Sequence, residues 1–183
     1  IQSELNKKIN FMSTPNNIRY VHNKFYSANK DLAIFTYLPN PLDRRGNTIE
    51  FAEYIGNKYD IPVIRKPMAN GSNEAIHMAW EDFAKIWTPC LFHFNLDPME
   101  AQPGCQAIDV AAAGSINIGG RNESHQVLFP ETATCDEKIL EEKFVEYLNN
   151  PKKAFEVIEY AWNKLNELYG MDLVKNQLIQ MLG

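Results

Sequence analysis

The chain has 183 residues, 45% of them hydrophobic, and a formal net charge of −5. That length fits one ordinary domain with a sizeable core, and the acidic balance argues against gripping nucleic acid by charge alone. Cys90, Cys105 and Cys135 form no CxxC pair and have no histidine at metal spacing. Neither a zinc site nor a disulfide framework is indicated, and a reducing, cytoplasmic setting is expected. No apolar run approaches the ~20 residues that span a bilayer, and no signal-peptide pattern opens the chain. The chain begins at Ile1 rather than Met, so a fragment or a processed chain is expected.

Residues 1–30 are polar and irregular. They read as a linker or the end of a preceding domain, with one short strand at Ile18–Val21. "DLAIFTYL" (31–38) is a short apolar run and reads as a buried strand. "PNPLDRRGN" follows, dense in turn residues. Thr48, Phe51, Ala52, Ile55 and Tyr59 then fall on one helical stripe, and Asn47 with Glu50 resembles a capping box. "IPVIRKP" reads as a second strand. The next helix is expected to be capped by Ser72 and to carry Ile76, Ala79, Trp80, Phe83, Ile86 and Trp87 on its core face. "PCLFHFNL" (89–96) is a third strand, and "CQAIDVAAAG" a compact helix stopped by Gly114. "SINIGG" is a fourth strand and "HQVLFP" a candidate fifth. Helices follow over 136–149 and 151–169, with Asn150 as cap and Pro151 at the first helical position. A last helix is expected over 172–182.

This alternation predicts an α/β domain over 31–183: a Rossmann-like parallel sheet with helices on both faces and a C-terminal helical tail. Ligands of such sheets sit beyond the carboxyl ends of the strands. The helix that opens near Gly104, Cys105 and Gln106 therefore presents unpaired N–H groups to a phosphate or diphosphate. Gly104 lets backbone come close. Asp109, a little over one turn in, suits a vicinal diol such as ribose. Gly114, Gly119 and Gly120 would let the following turns approach the same cleft. Each feature also has a plain structural reading. The alanines after Asp109 suit close packing, "GGRNES" an ordinary turn, "DRRG" an exposed basic loop. His93 reads as a hydrogen-bonded core residue, and Trp80 and Trp87 as core aromatics.

Taken in order, these pieces resemble the C-terminal, nucleotide-sugar-binding half of a GT-B glycosyltransferase. The likeness is to the retaining family with the E-x7-E donor motif, and it covers about residues 31–183. "IDVAAAG", "SINIGG" and "RNES" stand where that family has its small-residue helix, strand, glycine pair and acid. The resemblance implies that Asp109 holds the donor ribose and that Glu123 is the acid after the glycine pair. Arg44 and Arg45 of "LPNPLDRRGN" match the diphosphate cations. The tail "ILEEKFVEYLNNPKKAFEVIEYAWNKL" looks like the family's closing helices. The second acid is Asp rather than Glu. The first would fall at Ala101, so Glu100, one residue early, is the candidate donor-sugar contact.

The implied activity is hexosyl-type transfer from a nucleotide-diphosphate sugar to an acceptor that the sequence does not name. The donor is a substrate, and no separate cofactor or metal is implied. An N-terminal half would supply the acceptor side, so this chain alone would bind donor without transferring it. A nucleotide-sugar epimerase of the same fold, using Glu100, Glu123 or His125 at the sugar, is the alternative. A non-enzymatic α/β regulatory module is a third. A receiver domain would need an acidic pair after the first strand, which "AIFTYLPNP" lacks.

Overall fold

The computed structural model describes residues 18–36, 47–65, 78–98 and 105–169. In these, an all-parallel four-stranded sheet is flanked by helices, an α/β, Rossmann-like architecture. The elements are α1 (Ile18–Phe25), β1 (Asp31–Thr36), α2 (Thr48–Tyr59), β2 (Val63–Arg65), α3 (Trp80–Trp87) and β3 (Cys90–Phe94). After them come α4 (Cys105–Ala113), β4 (Ile116–Ile118), α5 (Glu123–Leu128), a 3-10 turn (Pro130–Thr132), α6 (Glu137–Asn149) and α7 (Pro151–Tyr169). The strand order is β2-β1-β3-β4. No helix among the described residues is long and apolar enough to cross a membrane.

The strands read as apolar runs because both faces of the sheet are covered. On one face, Ala33 and Phe35 pack with Trp87 of α3, Ala111 of α4 and Leu165 of α7. On the other, Ile34, Phe92, Phe94, Ile116 and Ile118 meet Phe51 and Ile55 of α2 and Phe144 of α6. Helix α4 is buried almost all round: Ala107, Ala111, Ala112 and Ala113 are each at most 1% exposed. Their small side chains let α1, α5, α7 and β4 all approach this one helix. Gly114, at φ 77°, ends it as expected.

Several local expectations change. Ile18–Val21 lies in helix α1, not a strand. Ile18 and Val21 are buried in the core, while the ring of His22 stacks on Trp162 at 3.7 Å and meets the Ala112 carbonyl at 3.1 Å. The burial of residues three apart is a helical signal that the two apolar residues in isolation did not reveal. The "HQVLFP" run also lies in a helix, α5 and the 3-10 turn beyond it, rather than a fifth strand. The Asn122 side chain accepts the His125 N–H at 3.1 Å and so caps α5.

The capping box at Asn47 does not form. Asn47 makes no cap bond, and its amide donates to Glu137 on α6 instead. Trp87 is a core aromatic, but Trp80 is 41% exposed. It is the first residue of α3 and packs edge-on against Phe25 of α1, outside the main core. Ser72 and the helix expected over 172–182 lie outside the described residues.

Candidate functional site at the carboxyl edge of the sheet

The chain runs from β1 outward to β2 and then returns past β1 to β3. The point where the order reverses lies between β1 and β3, and ligands of open α/β sheets bind beyond the carboxyl ends of the strands there. Arg65, Thr36, Phe94 and Ile118 stand level across the four strands at this edge. The continuation of β3 forms the rim: the Asn95 N–H donates to the Ile118 carbonyl at 3.0 Å, and the Leu96 N–H to Thr48 Oγ1 at 2.9 Å. The second bond draws the start of α2 to the edge, as the loop after β3 leads to the start of α4.

The glycine pair closes the rim over β4. Gly119 donates its N–H to the Thr132 carbonyl at 3.1 Å, and the Arg121 N–H donates to the Asp97 carbonyl at 3.0 Å. Gly119 and Gly120 adopt φ of 97° and 90°, the left-handed region that favours glycine. A Cβ on Gly119 would come within 2.8 Å of the Asn95 carbonyl oxygen, and one on Gly120 within 2.8 Å of the His125 ring. In Gly114 it would meet the ring of Tyr26. The expected close approach of these glycines is therefore to other parts of the protein: no bound molecule enters the physical reason for them.

Buried polar side chains gather at this edge. Asn95, Asn117, Asn122, Ser124, His125 and Thr132 are all buried. Some of their atoms are used: Thr132 Oγ1 donates to the Asn117 carbonyl at 2.6 Å, and Asn117 Nδ2 to the Gly119 carbonyl at 2.8 Å. Others are not. Asn95 Oδ1, Asn117 Oδ1, Gln106 Nε2, Ser124 Oγ and both ring nitrogens of His125 have no hydrogen-bond partner among the described residues. Unmet buried polar atoms are few in folded proteins and each calls for a reason. Among the described residues, this edge holds the densest group of such atoms. Burial holds His125 down to about 4, against the opposing pull of Asp97. A buried ring packed on Gly120 and kept neutral is poorly placed to act as the acid or base of an epimerase.

Helix α4 carries the central candidate. Asp109 lies four residues after Cys105 and is half-buried. Among the described residues burial alone acts on its carboxyl and pushes it up to about 7. Gln106, one residue into the helix, is also half-buried. Cys105 opens the helix as expected. Glu123 is exposed at the first position of α5, and α5 packs beside α4. Arg44, Arg45, Glu100 and Gly104 lie outside the described residues.

His93 is a core residue as expected. It lies between Phe35 and Trp87, with ring centroids at 5.5 and 5.4 Å, and burial presses it down to about 3. Backbone hydrogen bonds at Cys90 and Trp87 oppose that shift, while its Nε2 has no partner among the described residues. The sequence reasoning passed over Asn95, Asn122 and Ser124. Asn95 could have been found as the first polar residue after an apolar strand. Asn122 and Ser124 were hidden once the segment after the glycine pair was read as a turn and a strand. Neither a comparison with protein-family models nor one with curated proteins returns a match to this chain.

Proposed function

We propose that this chain is the donor-binding half of a glycosyltransferase that uses a nucleotide-diphosphate sugar. The observation that carries the reading is Asp109. It is a half-buried carboxyl whose charge no cation among the described residues offsets, placed roughly 6 Å along the helix that opens toward the carboxyl edge. Among the described residues burial alone acts on its charge, and a ribose diol offers two donors that would stabilise it. The first N–H groups of α4 and the cations Arg44 and Arg45 would take the diphosphate. They would stabilise the charge that grows on it as the sugar departs, the main service such a half renders to the reaction. Glu100 would touch the donor sugar, and Glu123 would stand at the rim on α5. A second α/β half would bring the acceptor.

The test is calorimetric titration of the chain and of Asp109→Asn with a nucleoside diphosphate and its 2′-deoxy form. Asp109→Asn should lose about 1–3 kcal/mol of binding to the ribonucleotide, as one acceptor oxygen and the charge are removed. It should also discriminate less against the deoxyribonucleotide. Equal affinity for all four combinations returns Asp109 to the role of an ordinary helix residue.

A further inference from the structure

Beyond the outer edge of β4 lies a cavity of about 310 Å³, walled by the end of α5, the 3-10 turn, α6 and the first half of α7. Leu128, Phe129, Val157 and Tyr160 give it apolar and aromatic walls. The volume lies at the small end of the range that holds small molecules. Pro130–Thr132 forms one side of it, the same turn that accepts the Gly119 N–H and donates to β4.

Its charged groups are already balanced. Lys143 and Lys153 each reach a different oxygen of Glu131 at 2.7 Å, and Lys143 also reaches Glu146 at 2.8 Å. Two lysines thus face two carboxylates, and Glu156 at the mouth faces Lys152 at 4.0 Å. A charged occupant would find no free counter-charge in this network. Tyr147 completes the wall and is 2% exposed, yet its hydroxyl has no hydrogen-bond partner among the described residues. Burial, then the nearby Glu131 and Glu146 charges and the pull of the Glu131 carboxylate on its proton, raise its pKa, although that carboxylate does not meet hydrogen-bond geometry with it and is held by Lys143 and Lys153. An unmet hydroxyl in a buried wall is a neutral polar point beside the paired charges of the rim.

We infer that this cavity is a binding site for a small neutral aromatic molecule carrying one hydrogen-bonding group, separate from the carboxyl edge. The ring lies among Phe129, Val157 and Tyr160, and its polar group meets the Tyr147 hydroxyl after a small adjustment of that side chain. The inference does not depend on the donor-site reading, because no nucleotide is involved.

The test is an amide-shift titration by two-dimensional NMR of the ¹⁵N-labelled chain at neutral pH. The probes are 2-naphthol, which is neutral, and 2-naphthoate, which is anionic. The naphthol should produce saturable shifts grouped at residues 128–132 and 153–160. The naphthoate should bind roughly ten-fold more weakly, since Lys143 and Lys153 are already held by Glu131 and Glu146 and its charge would be buried unpaired. Val157→Trp, which fills the cavity, should abolish the shifts. Should that variant fail to fold, Tyr160→Ala serves in its place: Tyr160 is 42% exposed, and its loss should weaken the naphthol roughly five-fold by removing one aromatic wall. Shifts that are scattered or do not saturate overturn the site, as does undiminished binding by folded Val157→Trp or by Tyr160→Ala. Equal affinity for the naphthoate overturns the assignment of a neutral ligand.

Discussion

At Asp109, burial opposes the charge that the proposed ribose contact requires. The carboxyl pKa rises from 3.8 to about 7, so the folded chain keeps a proton there that the unfolded chain has released. Stability therefore falls as pH rises across that window and levels off above it. Asn cannot ionise and escapes the loss. The advantage of Asp109→Asn over the parent should therefore be larger at about pH 8 than at about pH 5, by roughly 2.7 kcal/mol. Thermal melts of both proteins at the two pH values measure this, and a pH-independent difference would refute it. The same titration governs binding: ribose hydroxyls stabilise the ionised form, so nucleotide affinity should rise through neutral pH in the parent and less steeply in Asp109→Asn. The carboxylate itself was legible in the sequence as an isolated acid among small residues. Its burial was not, because that depends on which helices close over α4.

At the scale of elements, α4 decides how close its neighbours come. Its alanines are packed by α1, α5, α7 and β4, and the Ala112 carbonyl also meets the His22 ring at 3.1 Å. An added side chain there has no empty space to enter. Ala112→Leu should destabilise the chain by roughly 1–3 kcal/mol through overpacking, despite the better apolar transfer of leucine. Denaturant unfolding reads the change, and a neutral or stabilising result would mean that the helix has room the packing does not suggest. The small residues were legible as a run, and their plain reading as close packing fits the alanines. What the run did not disclose is the division of labour within it. The alanines serve helix contacts, Gly119 and Gly120 serve the rim and His125, and Asp109 and Gln106 are left with polar groups that the described residues do not fully answer.

Across the described residues, three groups shifted by burial, His93, His125 and Asp109, set the slope of stability between about pH 4 and 6.5, and they do not all act in one direction. His93 and His125 have folded pKa values near 3 and 4, both below the ordinary 6.5. Each contributes stability that is fully present above about pH 6.5 and lost as pH falls and the unfolded chain binds protons the folded chain refuses. Asp109 acts the other way over the same range. Two protons against one leave a net fall of about 1.4 kcal/mol per pH unit as pH drops from about 6.5 to about 4. His93→Phe removes one histidine from between Phe35 and Trp87 and should flatten that slope almost to zero. Chemical denaturation at several pH values checks it, and an unchanged slope would mean that His93 does not titrate as its burial requires. The sequence by itself determined the alternation of strands and helices, the four apolar runs that became the parallel sheet, and the bounds of α2, α6 and α7, since these follow from local periodicity, turn residues and caps. The tertiary structure alone decided that Ile18–Val21 joins a helix, that the segment after the glycine pair is helical, and that Trp80 lies outside the core. It also decided which polar atoms are left without partners. Burial and partnership are properties of residues far apart in the chain, and a local pattern carries no information about who arrives from the other side.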